Sequence, residues 1–252
     1  MVSTYSAARD INQTTTVLEG IPNFIAGNDY EKLESARLLT SSEYEVNTAL
    51  GYISLKTNLT TDQVLAVAYE YTYGGVTYQV GEFASDVTTD TSKALFVKSL
   101  KNTDNNPSQG NWRLMMKNVY AIASSIERDK FKLDVKYQSD TTGVYLTYIP
   151  EQQVKSTPLI RLLGADRLDN NNRPHPNGYF DFVEGFTVNN GRVFFPVTEP
   201  FGDYLYKYLV AKGVSAAKAQ KYAFTELYDS TKTVAKQIAE KDKFMLMGQY
   251  RG

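Results

Sequence analysis

Alternation with a period of two dominates the middle of the chain. In "YEYTYGGVTYQV", residues 69–80, apolar or aromatic side chains fall at every second position on either side of Gly74-Gly75. A Gly-Gly pair accepts the positive φ of a tight two-residue turn, so the segment predicts a hairpin pairing Tyr73 with Val76, Tyr71 with Tyr78 and Tyr69 with Val80. Thr72 with Thr77 and Glu70 with Gln79 then make a polar opposite face, as expected of a sheet with one side on a core. "FKLDVKYQ" and "GVYLTYIP" read as a second hairpin, with Phe131, Leu133, Val135 and Tyr137 on one face. A third, "FTVNNGRVFFP", turns at Asn190-Gly191, the favoured pair for a type I′ turn, and is ended by Pro196, which has no amide hydrogen to donate. "MLMGQYRG" reads as the start of one more strand.

Elsewhere the period is helical. "DYEKLESARLL" predicts a short helix with Asp29 as its cap. After the polar loop "NTDNNPSQGN", the residues Trp112, Met115, Met116, Val119, Ile122, Ala123 and Ile126 fall on one stripe and predict a helix with a buried face. "DYLYKYLVAKG" predicts a helix ended by Gly213. "SAAKAQKYAFTELYDSTKTVAKQIAEKDKF" follows from a cap at Ser215, and its stripe of Ala219, Ala223, Leu227, Val234 and Ile238 is interrupted near Asp229. Residues 1–43 read as a poorly patterned arm with a short helix, and 44–252 as the folded domain. Hairpins interleaved with several amphipathic helices predict a water-soluble α+β fold.

Composition narrows the function classes. The chain has 252 residues, 42% hydrophobic and 22% charged, with a net charge of −1. That leaves no excess of basic charge to neutralise phosphates, which argues against a nucleic-acid partner. No apolar run approaches the ~20 residues of a spanning helix, and "MVSTYSAARD" lacks the apolar region of a signal peptide. Nineteen tyrosines and twelve phenylalanines against one tryptophan fit a sheet-rich fold and raise the prospect of a sugar- or peptide-binding face.

Enzyme chemistry finds little to work with. Cysteine is absent, and the only histidine, His175, stands between Pro174 and Pro176 on a stiff turn, a poor place for a general base. No nucleophile elbow, P-loop or dinucleotide fingerprint occurs. Asp181 and Glu184 are the nearest approach to a glycosidase pair, but any acidic stretch offers as much. The chain reads as non-enzymatic.

One loop stands apart: "DRLDNNNRPHPNGYFDFVEG", residues 166–185. A hard cation takes oxygen ligands from a sharply turning loop with a glycine, and Asp169, Asn171, Asn177, Asp181 and Glu184 supply a candidate calcium set around Gly178. Arg173 and the two prolines interrupt it, and Arg173 brings the wrong charge. The competing reading is a rigid Asn/Pro turn whose side chains bond their own backbone.

At the same residues the chain resembles a known family. "DRLDNNN" and "NGYFDFVEGFTVNNGRVFFPVTEPFG" resemble the SprA (Sov) family, as do "DQVLAVAYEYTYGGVTYQVGEF", "LMMKNVY" and "ELYDSTKTVAKQIAEKDKF". The blocks run in matching order from about Tyr44 onward. Members of that family are very large outer-membrane proteins of the type IX secretion system. The resemblance therefore implies a role in protein export to the cell surface and in gliding motility. It implies as partners the remainder of the translocon barrel, other secretion-system subunits and exported cargo proteins. Three hairpins interleaved with helices are too few for the barrel wall, so the expected role is an internal insert or cap on the extracellular or periplasmic side of the outer membrane, itself not membrane-spanning. The sequence departs from the family at Asn177, where aspartate is more usual, and a cation site there would lack one charge. The alternative is a cell-surface module binding a glycan or peptide, stabilised by calcium.

Overall fold

The computed structural model describes residues 5–85, 92–104 and 106–251. The chain is α+β and divides into two compact units, Met1–Met115 and Met116–Gly252. Pattern alone placed a boundary at residues 43 and 44; the structural division lies further along. Among the described residues no helix is long and apolar enough to cross a membrane.

The first unit is built from small pieces. A 3-10 helix, Ser6–Arg9, leads into α1 (Thr14–Glu19) in a segment read from pattern as an arm. The buried Thr14 hydroxyl holds the two together through the carbonyls of Ala8 and Asp10, at 2.8 and 2.9 Å. The helix expected over 29–39 does not form. Asp29 turns backward to accept from the Ile25 amide at 2.8 Å, so its capping oxygen is already engaged, and Leu38 is 85% exposed. Without an apolar stripe to bury, so short a segment does not sustain a helix.

Three two-stranded sheets follow. β1 (Tyr44–Asn47) pairs with β2 (Tyr52–Leu55), and β3 (Leu65–Val67) with β6 (Lys98–Lys101). Between these last two lies the Gly-Gly hairpin, β4 (Tyr69–Tyr73) and β5 (Val76–Val80), in the expected register throughout. Gly74 and Gly75 have φ of 59° and 79°, as its turn requires.

Among the described residues of this unit, the core expected beneath that hairpin is missing. Tyr69, Tyr71 and Tyr78 are 42–47% exposed and Tyr73 75%. Only Ala8, Leu18 and Tyr52 are buried hydrophobics among the described residues of this unit. With no second layer above them among the described residues of this unit, the tyrosines pack on each other, and Tyr71 stacks on Tyr78 with ring centroids 5.2 Å apart. Polar bonds knit the unit instead. Arg9 pairs with Glu82, the buried Asn102 and Gln109 bond each other and both reach the Gly27 carbonyl, and the Lys101 ammonium donates to the carbonyls of Thr61, Gln63 and Asn102.

The second unit has the core. The helix expected from Trp112 to Ile126 does not form: a 3-10 turn at Gly110–Leu114 closes the first unit, and β7 (Val119–Ala121) opens the second. The stripe spans the junction between the two units, so it has no single face to bury. Val119 and Tyr120 favour extended backbone and gain strand partners in Phe194 and Val193. β10 (Val188–Asn189) and β11 (Arg192–Phe194) form the predicted type I′ hairpin, with Asn190 and Gly191 at φ 47° and 71°, and complete a sheet in the order β10-β11-β7.

The larger sheet pairs β8 (Glu127–Gln138) with β9 (Tyr145–Leu146) on one side and β12 (Phe244–Arg251) on the other. As the alternation predicted, Leu133, Val135 and Tyr137 are buried on one face, with Phe131 partly buried beside them. Over that face lie α2 (Leu159–Leu162), α3 (Asp203–Ala211) and α4 (Ala216–Tyr222), which bury Leu159, Ile160, Leu162, Leu205, Leu209 and Ala219 in the same core. Each large aliphatic side chain among them is worth about 1.5–3 kcal/mol on burial.

The C-terminal helical run breaks twice. α4 stops at Ala223, whose ψ of 117° sends the Phe224 amide to the Phe201 carbonyl; α5 (Glu226–Asp229) stops at Ser230; α6 (Lys232–Gln237) follows. The break shifts the stripe, so Val234 is 46% exposed and Ala235 is buried in its place. Ser215 stands at the predicted N-cap with extended backbone but makes no capping bond, whereas Thr231 caps α6 through the Val234 amide.

Candidate functional site

The loop at 166–185 is organised by two carboxylates. Asp166 follows α2 and is 1% exposed. Its Oδ1 accepts from the amides of Asn177 and Gly178 at 2.8 and 3.1 Å, and its Oδ2 accepts from Arg161 Nη2 and Nε at 3.0 and 3.2 Å. One side chain thus ties the start and the middle of the loop to the helix before it. Gly178, at φ 88°, lets the backbone turn its amide toward Asp166.

Asp181 makes the second clamp. Its oxygens accept from the amides of Arg167 and Leu168, each at a closest distance of 2.9 Å. Its own amide donates to the Ala165 carbonyl, and the neighbouring Phe180 amide donates to the Leu133 carbonyl of β8. Phe180 is buried in the core beside Phe195. The loop is therefore stitched to the main sheet by its backbone and anchored by one ring.

Of the five residues proposed from sequence as calcium ligands, Asp169, Asn177 and Asp181 have side-chain oxygens engaged by other partners. Asp169 Oδ1 accepts from the amides of Asn171 and Arg173 at 2.8 and 2.9 Å, closing a local turn. Asn177 donates to Asn170 Oδ1 and accepts from the Tyr179 amide. Asn171 enters through its amide, and Glu184 through a main-chain bridge to Val188. Among the described residues no group of three or more His, Cys, Asp or Glu side chains is placed to hold a metal ion. Millimolar calcium is accordingly expected to leave the melting temperature where a chelator leaves it. A site filled to a hundredfold excess over its dissociation constant would instead add about 2.7 kcal/mol and show as a clear rise.

The electrostatics follow from the same contacts. Burial pushes the Asp181 carboxyl above the ordinary aspartate range, and Asp166 adds to this against the pull of the two amides. The Arg173 amide, with that of Asn171, holds the half-buried Asp169 below that range. A carboxyl whose folded value is raised binds its proton more tightly in the folded state than in the unfolded one. Its contribution to stability is thus complete below the unfolded value of about 3.9 and is lost as pH rises through the folded value. Comparing wild type with Asp181→Asn, the wild-type advantage in melting temperature should shrink as pH rises above about 4. An advantage that grows over that range would contradict the assignment.

No family model matches the chain, and no curated protein matches it.

Asp181, half of the nearest approach to a glycosidase pair, has its oxygens engaged by main-chain amides. Asp166 and Arg161 lay outside the residues singled out by the calcium reading, although their pairing fastens the loop to α2. The one local signal was the i, i+5 spacing of opposite charges at the close of an apolar segment, which is weak until the fold is known.

Proposed function

We propose that this chain is a non-enzymatic domain, an insert or cap, of a SprA-type outer-membrane translocon, acting in type IX protein secretion and gliding motility. The observation that carries the reading is the use made of its most distinctive block. Asp166, Gly178, Phe180 and Asp181, all within "DRLDNNN" and "NGYFDFVEG", serve to fasten a loop onto the core. A block shared for architectural reasons suits a part of a transport machine, whose task is to hold shape against a channel and its cargo. The partners under this reading are the barrel, other secretion subunits and exported proteins, on the extracellular or periplasmic side.

The test is made in a bacterium whose SprA-type protein carries these blocks. Replacing this region by a flexible linker should abolish delivery of cargo to the surface and stop gliding, while the barrel still reaches the outer membrane. Normal export from such a strain would reject the proposal.

A second reading is favoured by the uncovered tyrosines of the first unit. Tyr69, Tyr71, Tyr73 and Tyr78 offer a row of exposed rings on one face of a hairpin, as a glycan- or peptide-binding module would. Glycan-array binding lost in Tyr71→Ala or Tyr78→Ala would support it.

A further inference from the structure

The sheet order β12-β8-β9 leaves β12 with one unpaired side among the described residues. The Gln138 amide donates to the Lys243 carbonyl at 2.8 Å, and Phe244 faces Tyr137. Antiparallel alternation then turns the main-chain groups of Met245 and Met247 toward β8, and those of Phe244, Leu246 and Gly248 toward the open side. Such a row is a template for another strand.

A pocket lies where that row begins. Phe244, Met245 and Leu246 of β12 line it together with Tyr120, Phe201, Phe224, Leu227 and Asp242, and it holds about 180 Å³. Small-molecule sites run to ~300–1,000 Å³, so this space suits a single side chain. Half of its lining residues are aromatic. The Phe201 and Phe244 rings stand 4.8 Å apart, and the Tyr120 hydroxyl is already engaged by Tyr228 at 2.8 Å.

The charge at the mouth is one-sided. Lys241 is matched by Glu226 at 2.8 Å and Lys243 by Asp140 at 3.0 Å. Asp242, between them, is exposed and makes no ion pair among the described residues. An apolar aromatic slot with one unmatched carboxylate complements a cation on an apolar stem: the stem packs on the rings, and the head meets the rings' negative faces and the carboxylate.

We propose that β12 accepts an extended polypeptide segment as an additional strand, with a lysine or arginine of that segment lodged in the pocket against Asp242. Main-chain bonds along the edge supply affinity, and the pocket supplies the choice of residue. The proposal does not depend on the translocon reading, and the experiment uses the chain alone, so failure here leaves that reading untouched.

The probe is a short acetylated and amidated peptide of alternating valine and threonine with a central arginine, titrated calorimetrically into the full chain. It should bind at least about tenfold more tightly than the same peptide with a central glutamate. Asp242→Asn, at an exposed position, should leave the fold intact and reduce that preference to about twofold or less. N-methylation of alternate peptide amides should abolish binding, and hydrogen exchange at Phe244, Leu246 and Gly248 should slow only in the unmethylated complex. Equal affinity for the two peptides, or equal binding of the methylated one, would overturn the proposal. So would concentration-dependent self-association that protects the same amides, which would assign the edge to a second copy of the chain.

Discussion

Asp166→Ala is expected to cost the second unit about 3–5 kcal/mol. The carboxylate is 1% exposed and answers four donors: two amides of the loop and two guanidinium nitrogens of Arg161. Alanine removes all four bonds at once. The part-buried amides of Asn177 and Gly178 lose their acceptor, and each such orphan costs about 1–3 kcal/mol. The Arg161 side chain is 45% exposed and recovers part of its loss from water, which keeps the total from rising further. Asp166→Asn preserves one acceptor for the amides, so about half the loss should remain. Urea unfolding followed by far-UV circular dichroism measures both, with the midpoint falling at constant slope. A change in Asp166→Ala of under about 1 kcal/mol would show that the loop is held by other means.

Gly191→Ala should be nearly as damaging, at about 3 kcal/mol or more. Two costs combine there. The residue has φ 71°, a conformation an L side chain adopts at a cost of about 1 kcal/mol. A methyl group would also lie 2.0 Å from the Ala123 carbonyl oxygen. That oxygen cannot swing aside, because the same stretch is pinned by the amides of Ile122 and Ala123, both of which donate to the Gly191 carbonyl. Gly213→Ala separates the two costs. Its φ is 87°, but an added methyl meets nothing within 4 Å, so it should lose only about 1 kcal/mol. Equal losses at the two positions, measured by thermal or urea unfolding, would show that the close approach to Ala123 contributes nothing.

These two sites mark where sequence was readable and where it was not. Asn190-Gly191 and Gly74-Gly75 announced their hairpins because turn chemistry fixes register locally, and every pair of the β4–β5 ladder followed from it. The row Leu133, Val135 and Tyr137 was equally legible, because a strand with one face on a core buries every second side chain and a helix does not. The stripe from Trp112 to Ile126 misled because helical spacing is only a prior. Its residues belong to two units, and β7 gains partners on β11 about seventy positions later. Beneath the tyrosine hairpin the pattern indicated an apolar face, but not whether anything would lie against it. In the polar loop the residue types suggested either ligands or local turns. The choice rested on where Asp166 and Asp181 sit relative to amides eleven to fourteen positions away, and only the folded backbone supplies that.

The pairing of β8 with β12 has a consequence for synthesis. Phe244 meets Tyr137 and Leu246 meets Val135, partners separated by more than a hundred positions. A ribosome therefore releases the main-chain edge of β8 long before its neighbour exists, although α2, α3 and α4, which cover its apolar face, emerge earlier. The growing chain carries that liability until β12 emerges, and closing so long a loop makes this the slow step of assembly. Nascent chains halted short of Phe244 would be held by chaperones or degraded, so β12 acts as the latch that ends their exposure.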